Sequence, residues 1–397
     1  MNKITFCIPS KSNLRYLKTC IPSIRKNASR SDHDIIIFVD SDEDGTVKWL
    51  EQVKDEYNLS YYVNPDLGNS LFGIGKAYDY CIEQSTTDIF MIFHADMMLG
   101  KNADKLAFNH LKLKTVVSST RVEPPLHPNN GEKILMDFGM WPEEFKSDEF
   151  DNFVDISYSN TNITNGVFAP WMMYKEEFLA IGGHDKIMHS CREDSDVFNR
   201  LKLAGFVFKQ PWNSLVYHLT GRGAGSFDGD EARHAAWQKD MMKSTKEFIR
   251  KWGSNVKHTA LMEPIIVPKY NIAFVVDYCT LPSLEALEPW CDRLYIASSF
   301  GDTIDNLRAQ YIMNEAENTS FILHRKVLTD SLNDAHGEND IVVNIDCNTF
   351  DNDDFTYIQH LAEIIKDSGT PRATFELGHL KIAIHSMEEL QNNLINV

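Results

Sequence analysis

Apolar positions in the first half of the chain fall into two alternating rhythms. Ile4–Ile8, Asp34–Val39, Ser60–Val63, Ile89–Phe93 and Thr115–Ser118 are short runs rich in β-branched and aromatic residues, and they read as strands. Between them, Leu14–Lys26, Thr46–Tyr57 and Ile74–Gln84 repeat apolar residues at helical spacing. Strands alternating with helices predict a mostly parallel sheet covered by helices. Residues 121–160 break both rhythms. With Pro124, Pro125, Pro128 and the acidic WPEEFKSDEFD, they read as a long irregular excursion over the carboxyl edge of that sheet.

Further along, residues 232–252 predict one long helix, and GSNVKHTALMEPIIVPKY predicts a linker. From Asn271 a second α/β pattern begins, with NIAFVVDY, RLYIASS, SFILHRK and DIVVNIDC as strands and FTYIQHLAEIIKDSG as a helix. A chain of 397 residues exceeds one ordinary core, so two domains are expected: 1–260, then a smaller α/β domain over 265–397 of unassigned role. DIVVNIDCNTF faintly echoes DIFMIFHADMM, too weakly to establish a repeat.

Composition narrows the class. Hydrophobic content of 43% with 24% charge describes a globular chain. A net charge of −18 disfavours a broad phosphate-binding surface and so weighs against nucleic acid as a partner. The seven cysteines are scattered, odd in number and form no CxxC, which fits a reducing cytoplasm better than a disulfide framework. No apolar run approaches the ~18 residues needed to span a bilayer, and MNKITFCIPS does not read as a signal peptide.

Four stretches carry candidate chemistry. In FMIFHADMML, His94 and Asp96 are two residues apart, and in extended chain both would face the same way. They form either a metal pair or a structural histidine beside a turn residue. Asp40 to Gly45, with Glu51 in the twelfth place, formally satisfies the EF-hand calcium loop. That loop must follow a helix, whereas DIIIFV reads as a strand, so Asp40 stands either at a strand's carboxyl end, where α/β sheets bind ligands, or in a solvated acidic turn.

The third stretch is HSCREDSDVFNRLKLAGF. Ser190 to Glu193 fits a capping box, with Val197, Phe198 and Leu201 as an apolar face. Asp194, in the first turn, either feels the positive helix end, which favours the ionised form that a general base requires, or belongs to an acidic first turn with no chemistry. In the fourth, VYHLTGRGAG, His218 follows a short strand. The glycines around Arg222 let backbone approach phosphates, which an arginine can grip. No GKS or GKT follows, so this is not an ATPase loop.

Together and in order, these pieces resemble the GT-A glycosyltransferases of the family-two type. CIPSKSN resembles the opening "IPxYN" segment, and FVDSDEDGT is similar to the "VDDGSTDGT" nucleotide turn. FHADMML stands where that family has its DxD motif. IGGHDKIMHSCREDSDVFNRLKLAGF is close to "GGFDExFxxxEDxDLxxRLxxAGY", and His218 falls where the family has a late histidine. The resemblance spans roughly residues 3–225.

The resemblance implies a Rossmann-like, mostly parallel GT-A catalytic domain that moves a sugar from a nucleotide-sugar donor, UDP-linked, with inversion. Asp40, with Pro9 and Ser10, would hold the nucleotide, Asp96 and His218 would bind Mn²⁺ or Mg²⁺, and Arg222 would meet the diphosphate. Asp194, beside Glu193, would deprotonate the acceptor hydroxyl. His94 departs from the family's aspartate, and its imidazole favours Mn²⁺. The acceptor would be a saccharide or another hydroxyl, with a modified DNA base less favoured by charge. The alternative is a non-catalytic nucleotide- or sugar-binding module on the same scaffold, for which His94 is the main argument.

Overall fold

The computed structural model describes residues 2–221, 231–315, 326–328 and 332–397. The chain forms two compact units. The first comprises Met1–Met241, His258–Ile265 and Asn396–Val397, and the second comprises Met242–Lys257 and Ile266–Ile395.

In the first unit, strands β1 (Thr5–Lys11), β2 (Asp34–Ser41), β3 (Ser60–Val63) and β4 (Ile89–Ile92) run parallel in the order β3-β2-β1-β4. Helices α1 (Leu14–Asn27), α2 (Thr46–Val53) and α3 (Ile74–Gln84) connect them. The sequence explains this half well. After Asp34, the IIIFV of DIIIFV is buried throughout, as a strand covered on both faces must be. Helix α1 buries Leu17, Cys20, Ile21 and Ile24, one stripe at helical spacing. Each such fully buried side chain contributes roughly 1.5–3 kcal/mol of hydrophobic stabilisation.

Beyond β4 come β5 (Met97–Leu99), α4 (Ala103–Phe108), β6 (Thr115–Ser118), β7 (Thr120–Glu123), β8 (Ile134–Leu135) and α5 (Ser147–Ser157). These are followed by β9 (Ile163–Thr164), β10 (Trp171–Tyr174), α6 (Lys175–Ala180), α7 (Glu193–Leu203), β11 (Val207–Pro211), β12 (Leu215–His218) and α8 (Glu231–Trp252). The main sheet continues past β4 through β10, β6, β11 and β9, with β10 antiparallel to both neighbours. A second sheet has the order β5-β12-β7-β8. Residues 121–160 are therefore not uniformly irregular, because SDEFDNFVDIS is helical. Phe150 and Val154, four apart, are its buried stripe, and Asp148 and Glu149 meet the positive end of the helix.

The second unit holds a six-stranded sheet of β13 (Ile272–Asp277), β14 (Arg293–Ile296), β15 (Lys326–Leu328), β16 (Ile341–Asp346), β17 (Ala373–Leu377) and β18 (Leu380–Ile384). Most of SFILHRK lies outside the described residues, and its strand is described from Lys326 onward. The helix expected over 355–369 is two, Asn352–Gln359 and Leu361–Ser368, broken where His360 leaves helical geometry at φ −113° and ψ 8°. The strand order β15-β14-β13-β16, all parallel, is followed by antiparallel β18. That reproduces β3-β2-β1-β4 followed by antiparallel β10. The faint sequence echo joins the two fourth strands, β4 and β16.

The chain first passes from one unit to the other within α8, after Met241, earlier than expected; it returns over His258–Ile265 and crosses again after Ile265, at the expected linker. The second half of α8 buries Ile249 among Tyr270, Leu284 and Leu307 of the second unit's core. It also carries Arg250 to Glu288 (2.7 Å) and Glu315 (2.9 Å). Helical periodicity shows that a helix exists, not which unit its stripe joins. Among the described residues, no helix is long and apolar enough to cross a membrane.

Candidate active site

Strand register assembles the first part of the site. β12 pairs antiparallel with β5 so that His218 opposes Met97, next to Asp96, and the Leu219 N–H donates to the Asp96 carbonyl at 3.1 Å. On its other side β12 runs parallel to β7, with Tyr217 opposite Val122 and Glu123 one step further. His218 is thus held between two carboxylates. Its Nδ1 lies 2.9 Å from Glu123 and its Nε2 lies 3.5 Å from Asp96. Burial opposes a charge on this ring, but Asp96 and Glu123 override it and push its pKa up to about 9.

His94 completes the cluster, since one donor atom each from His94, Asp96 and His218 falls within 4.8 Å of the others. Burial, partly opposed by Asp96, pulls the His94 pKa down to about 4, so its ring is neutral with a lone pair free at neutral pH. Two imidazoles and one carboxylate are a donor set that suits Mn²⁺ or another transition metal. A cation would replace the proton on His218 Nε2, while Nδ1–H stays on Glu123, an arrangement that fixes ring orientation in metal sites. Glu123 is itself buried, yet His218, Arg121 and Lys133 (2.8 Å) hold its carboxyl well below the usual range.

The carboxyl ends of β1 and β2 supply the second part. Pro9 opposes Phe38 and Ser10 opposes Val39, so Pro9, Ser10 and Asp40 sit together at the sheet edge. Ser10 Oγ is buried with no hydrogen-bond partner, as expected of a group that meets a ligand. Asp40 is already engaged, because it accepts from the N–H groups of Phe72 (2.6 Å) and Gly73 (3.1 Å) and from Asn64 Nδ2 (3.0 Å). It therefore clamps the segment leading into α3. The calcium-loop acids are likewise engaged locally: Asp42 accepts from Val47 N–H, Asp44 from Leu14 N–H, and Glu51 from Lys54 and Tyr61.

The third part is the start of α7. The expected capping box is absent. The helix starts at Glu193, and the preceding Arg192 has φ +72° and makes no side-chain cap. Glu193 is instead buried and its neighbour Asp194 half-buried, and the buried atoms Glu193 Oε2 and Asp194 Oδ1 have no hydrogen-bond partner. Burial, then the adjacent Asp194, pushes Glu193 up to about 7, and burial also raises Asp194. The positive helix end was expected to dominate at Asp194, but desolvation outweighs it. Side by side and desolvated, the two carboxyls disfavour carrying two charges at once.

All three parts line one cleft of about 430 Å³ in the first unit, together with Arg121, Phe168 and Trp237. Pro9, Ser10, Asp40, His94, Asp96, Glu193, Asp194 and His218 are all on its wall. Arg222 lies outside the described residues. The sequence reading missed Arg121 and Glu123. The alternation in TRVE was their signal, obscured by the prolines that follow.

Residues 5–174 match the family model described as Glycosyl transferase family 2. No curated protein matches the chain. Among solved structures, S. aureus TarS 1–349 is similar at 10% identity and a TM-score of 0.39, over 64% of this chain and 74% of that one. S. aureus TarS matches at 11% identity and 0.41, over 62% and 44%. GalNAc-T7 with UDP, GalNAc and Mn²⁺ matches at 10% identity and 0.42, over 63% and 50%. The chain thus spans half or less of the latter two.

Proposed function

We propose that this chain, a glycosyltransferase whose residues 5–174 form a family 2 domain of GT-A type, transfers a sugar from a UDP-sugar to an acceptor hydroxyl with inversion. The observation that carries this reading is the meeting, in one cleft, of the His94–Asp96–His218 cluster with the Glu193–Asp194 pair.

In this reading Ser10 and Asp40 hold the nucleotide end of the donor, and His94, Asp96 and His218 hold a divalent cation, Mn²⁺ before Mg²⁺. When bound, that cation neutralises charge on the diphosphate. Asp194 takes the proton of the acceptor hydroxyl as the acceptor oxygen bonds to the anomeric carbon. The bond to the diphosphate breaks, and its electron pair leaves with the nucleotide. Glu193 keeps its proton, so the pair carries a single charge.

The acceptor belongs to the hydroxyl-bearing saccharides before any nucleic acid, because −18 net charge repels a polyanion. A reducing, cytoplasmic setting suits the seven unpaired cysteines. The experiment is a thermal-shift screen of nucleotide sugars with and without Mn²⁺, in which a ligand at 100 times its Kd adds about 2.7 kcal/mol of stability. UDP-sugars should stabilise the chain only with Mn²⁺, and indifference to every nucleotide sugar would defeat the reading. A binding module without catalysis would bind in the same way yet release no UDP.

A further inference from the structure

A second titratable pair, which the proposed mechanism does not use, is buried behind the Glu193–Asp194 pair. Asp79, on α3, lies 2.6 Å from His184 Nδ1 and also accepts the His184 backbone N–H at 3.0 Å. The preceding Gly183, at φ +71°, comes so near that a Cβ there would stand 2.7 Å from Asp79 Oδ2. No other residue would leave the dyad its geometry. Phe178, Tyr78 and Trp171 enclose the imidazole, with ring centroids at 5.2, 5.9 and 6.5 Å.

The other ring nitrogen, His184 Nε2, is buried with no hydrogen-bond partner, and so are Glu193 Oε2 and Asp194 Oδ1. Gly75 of α3 is the seat where these elements come together. A Cβ on it would stand 3.0 Å from His184 Cβ and 3.6 Å from Glu193 Cβ. Two buried nitrogens, His184 Nε2 and Trp171 Nε1, thus belong to the elements packed around these two acceptors, Trp171 set against Asp194 and the His184 ring fixed from behind by Asp79. The charged and titratable groups acting on the ring are Asp79, Asp194 and Glu193, and those acting on Glu193 include Asp194, His184 and Arg192.

We infer that the Asp79–His184 dyad is a positioning element for the proposed base: the imidazolium, anchored by Asp79, faces the Glu193–Asp194 pair and lets that pair carry a negative charge in a buried site. Burial works against charging the ring, but the Asp79 carboxylate overrides it and raises the pKa of His184 above 6.5. His184 in turn favours ionisation of Asp194. A neutral aromatic ring in the same cage would leave Arg192 alone to offset the charge on Glu193. The inference rests on reading Asp194 as the base, yet the coupling is measurable without any transfer reaction.

The test is NMR titration of the full chain, following ¹³C-labelled histidine rings and Asp and Glu carboxyls, in the wild type, His184→Phe and Asp79→Asn. Phenylalanine suits the aromatic cage, and Asp79→Asn removes the charge while its one amide oxygen can still accept from the His184 ring. Assignments come from Glu193→Gln and His184→Phe. Wild-type His184 should titrate above 6.5. Its midpoint should fall in Asp79→Asn, and that of Glu193 should rise in His184→Phe by about one pH unit, a tenfold change in ionisation.

A wild-type His184 midpoint at or below 6.5 overturns the inference without any variant. So does an unmoved Glu193 midpoint in folded variants, since a merely structural ring would alter Tm but not the carboxyl titration. If the midpoints shift as expected while Asp194→Asn retains transfer, the coupling stands and the assignment of the base falls.

Discussion

His218 Nε2 lies 3.5 Å from Asp96 Oδ1, although the two residues belong to distant parts of the chain. The pairing of β12 with β5 brings them together, so the histidine arrives through sheet register and not through a local motif. Glu123, 2.9 Å from the other ring nitrogen, keeps the ring turned toward Asp96. This relationship sets the first expectation.

Asp96→Ala should abolish Mn²⁺ binding measured by calorimetry, and Glu123→Gln should weaken it by roughly 10–100-fold, because orienting partners of metal-bound histidines contribute at that level. UDP affinity should fall in step with metal affinity and collapse in EDTA. Unchanged Mn²⁺ binding in Asp96→Ala would remove the metal assignment.

Asp40 has three donors turned inward, the Phe72 and Gly73 amides and Asn64 Nδ2. Asp40→Ala strands all three, and each stranded buried donor costs about 1–3 kcal/mol. The variant should lose several kcal/mol in urea unfolding as well as nucleotide affinity. Full stability in that variant would show that the clamp does not form.

The parallel half of the first sheet was legible because fully buried strands and amphipathic helices have different periods, and β1 to β4 keep them cleanly. Antiparallel β10 was not legible, since WMMY is too short to show a period and its partners lie far away in sequence. The candidate site was legible where residue types themselves can carry chemistry, as at His94, Asp96 and Asp194, which line one cleft. Glu123 was not, because its role depends on which strands pair. The capping box failed where the helix starts only at Glu193, after a left-handed Arg192 with no side-chain cap, which residue identity does not reveal. Nor does periodicity show that α8 changes allegiance halfway.

That change predicts how fragments behave. Arg250 joins Glu247 (2.6 Å), Glu288 and Glu315 in a buried cluster of the second unit. A fragment of 265–397 lacks this arginine, and removing one partner from a buried ion pair costs about 3–5 kcal/mol. It should be largely unfolded by circular dichroism, whereas 242–397 should give a cooperative melt. Equal stability of the two would mean that the second half of α8 is dispensable to that core.

Glu193 predicts a pH dependence of opposite sign to an ordinary salt-bridged carboxylate. Its pKa in the folded chain is raised from 4.5 to about 7, by burial first and by Asp194 second. Between those values the folded state binds the proton more tightly than the unfolded one, so stability is fully present below pH 4.5 and is lost as pH rises through 7. Glu193→Gln removes this dependence and keeps the size. Its Tm should therefore fall less than the wild-type Tm between pH 5 and pH 8. Groups in that window that are not coupled to Glu193 are common to both proteins and cancel in the comparison, so the difference reports Glu193 with its coupled neighbours Asp194 and His184. Parallel Tm curves would show that Glu193 ionises as freely when folded as unfolded, and that the pair tolerates two charges.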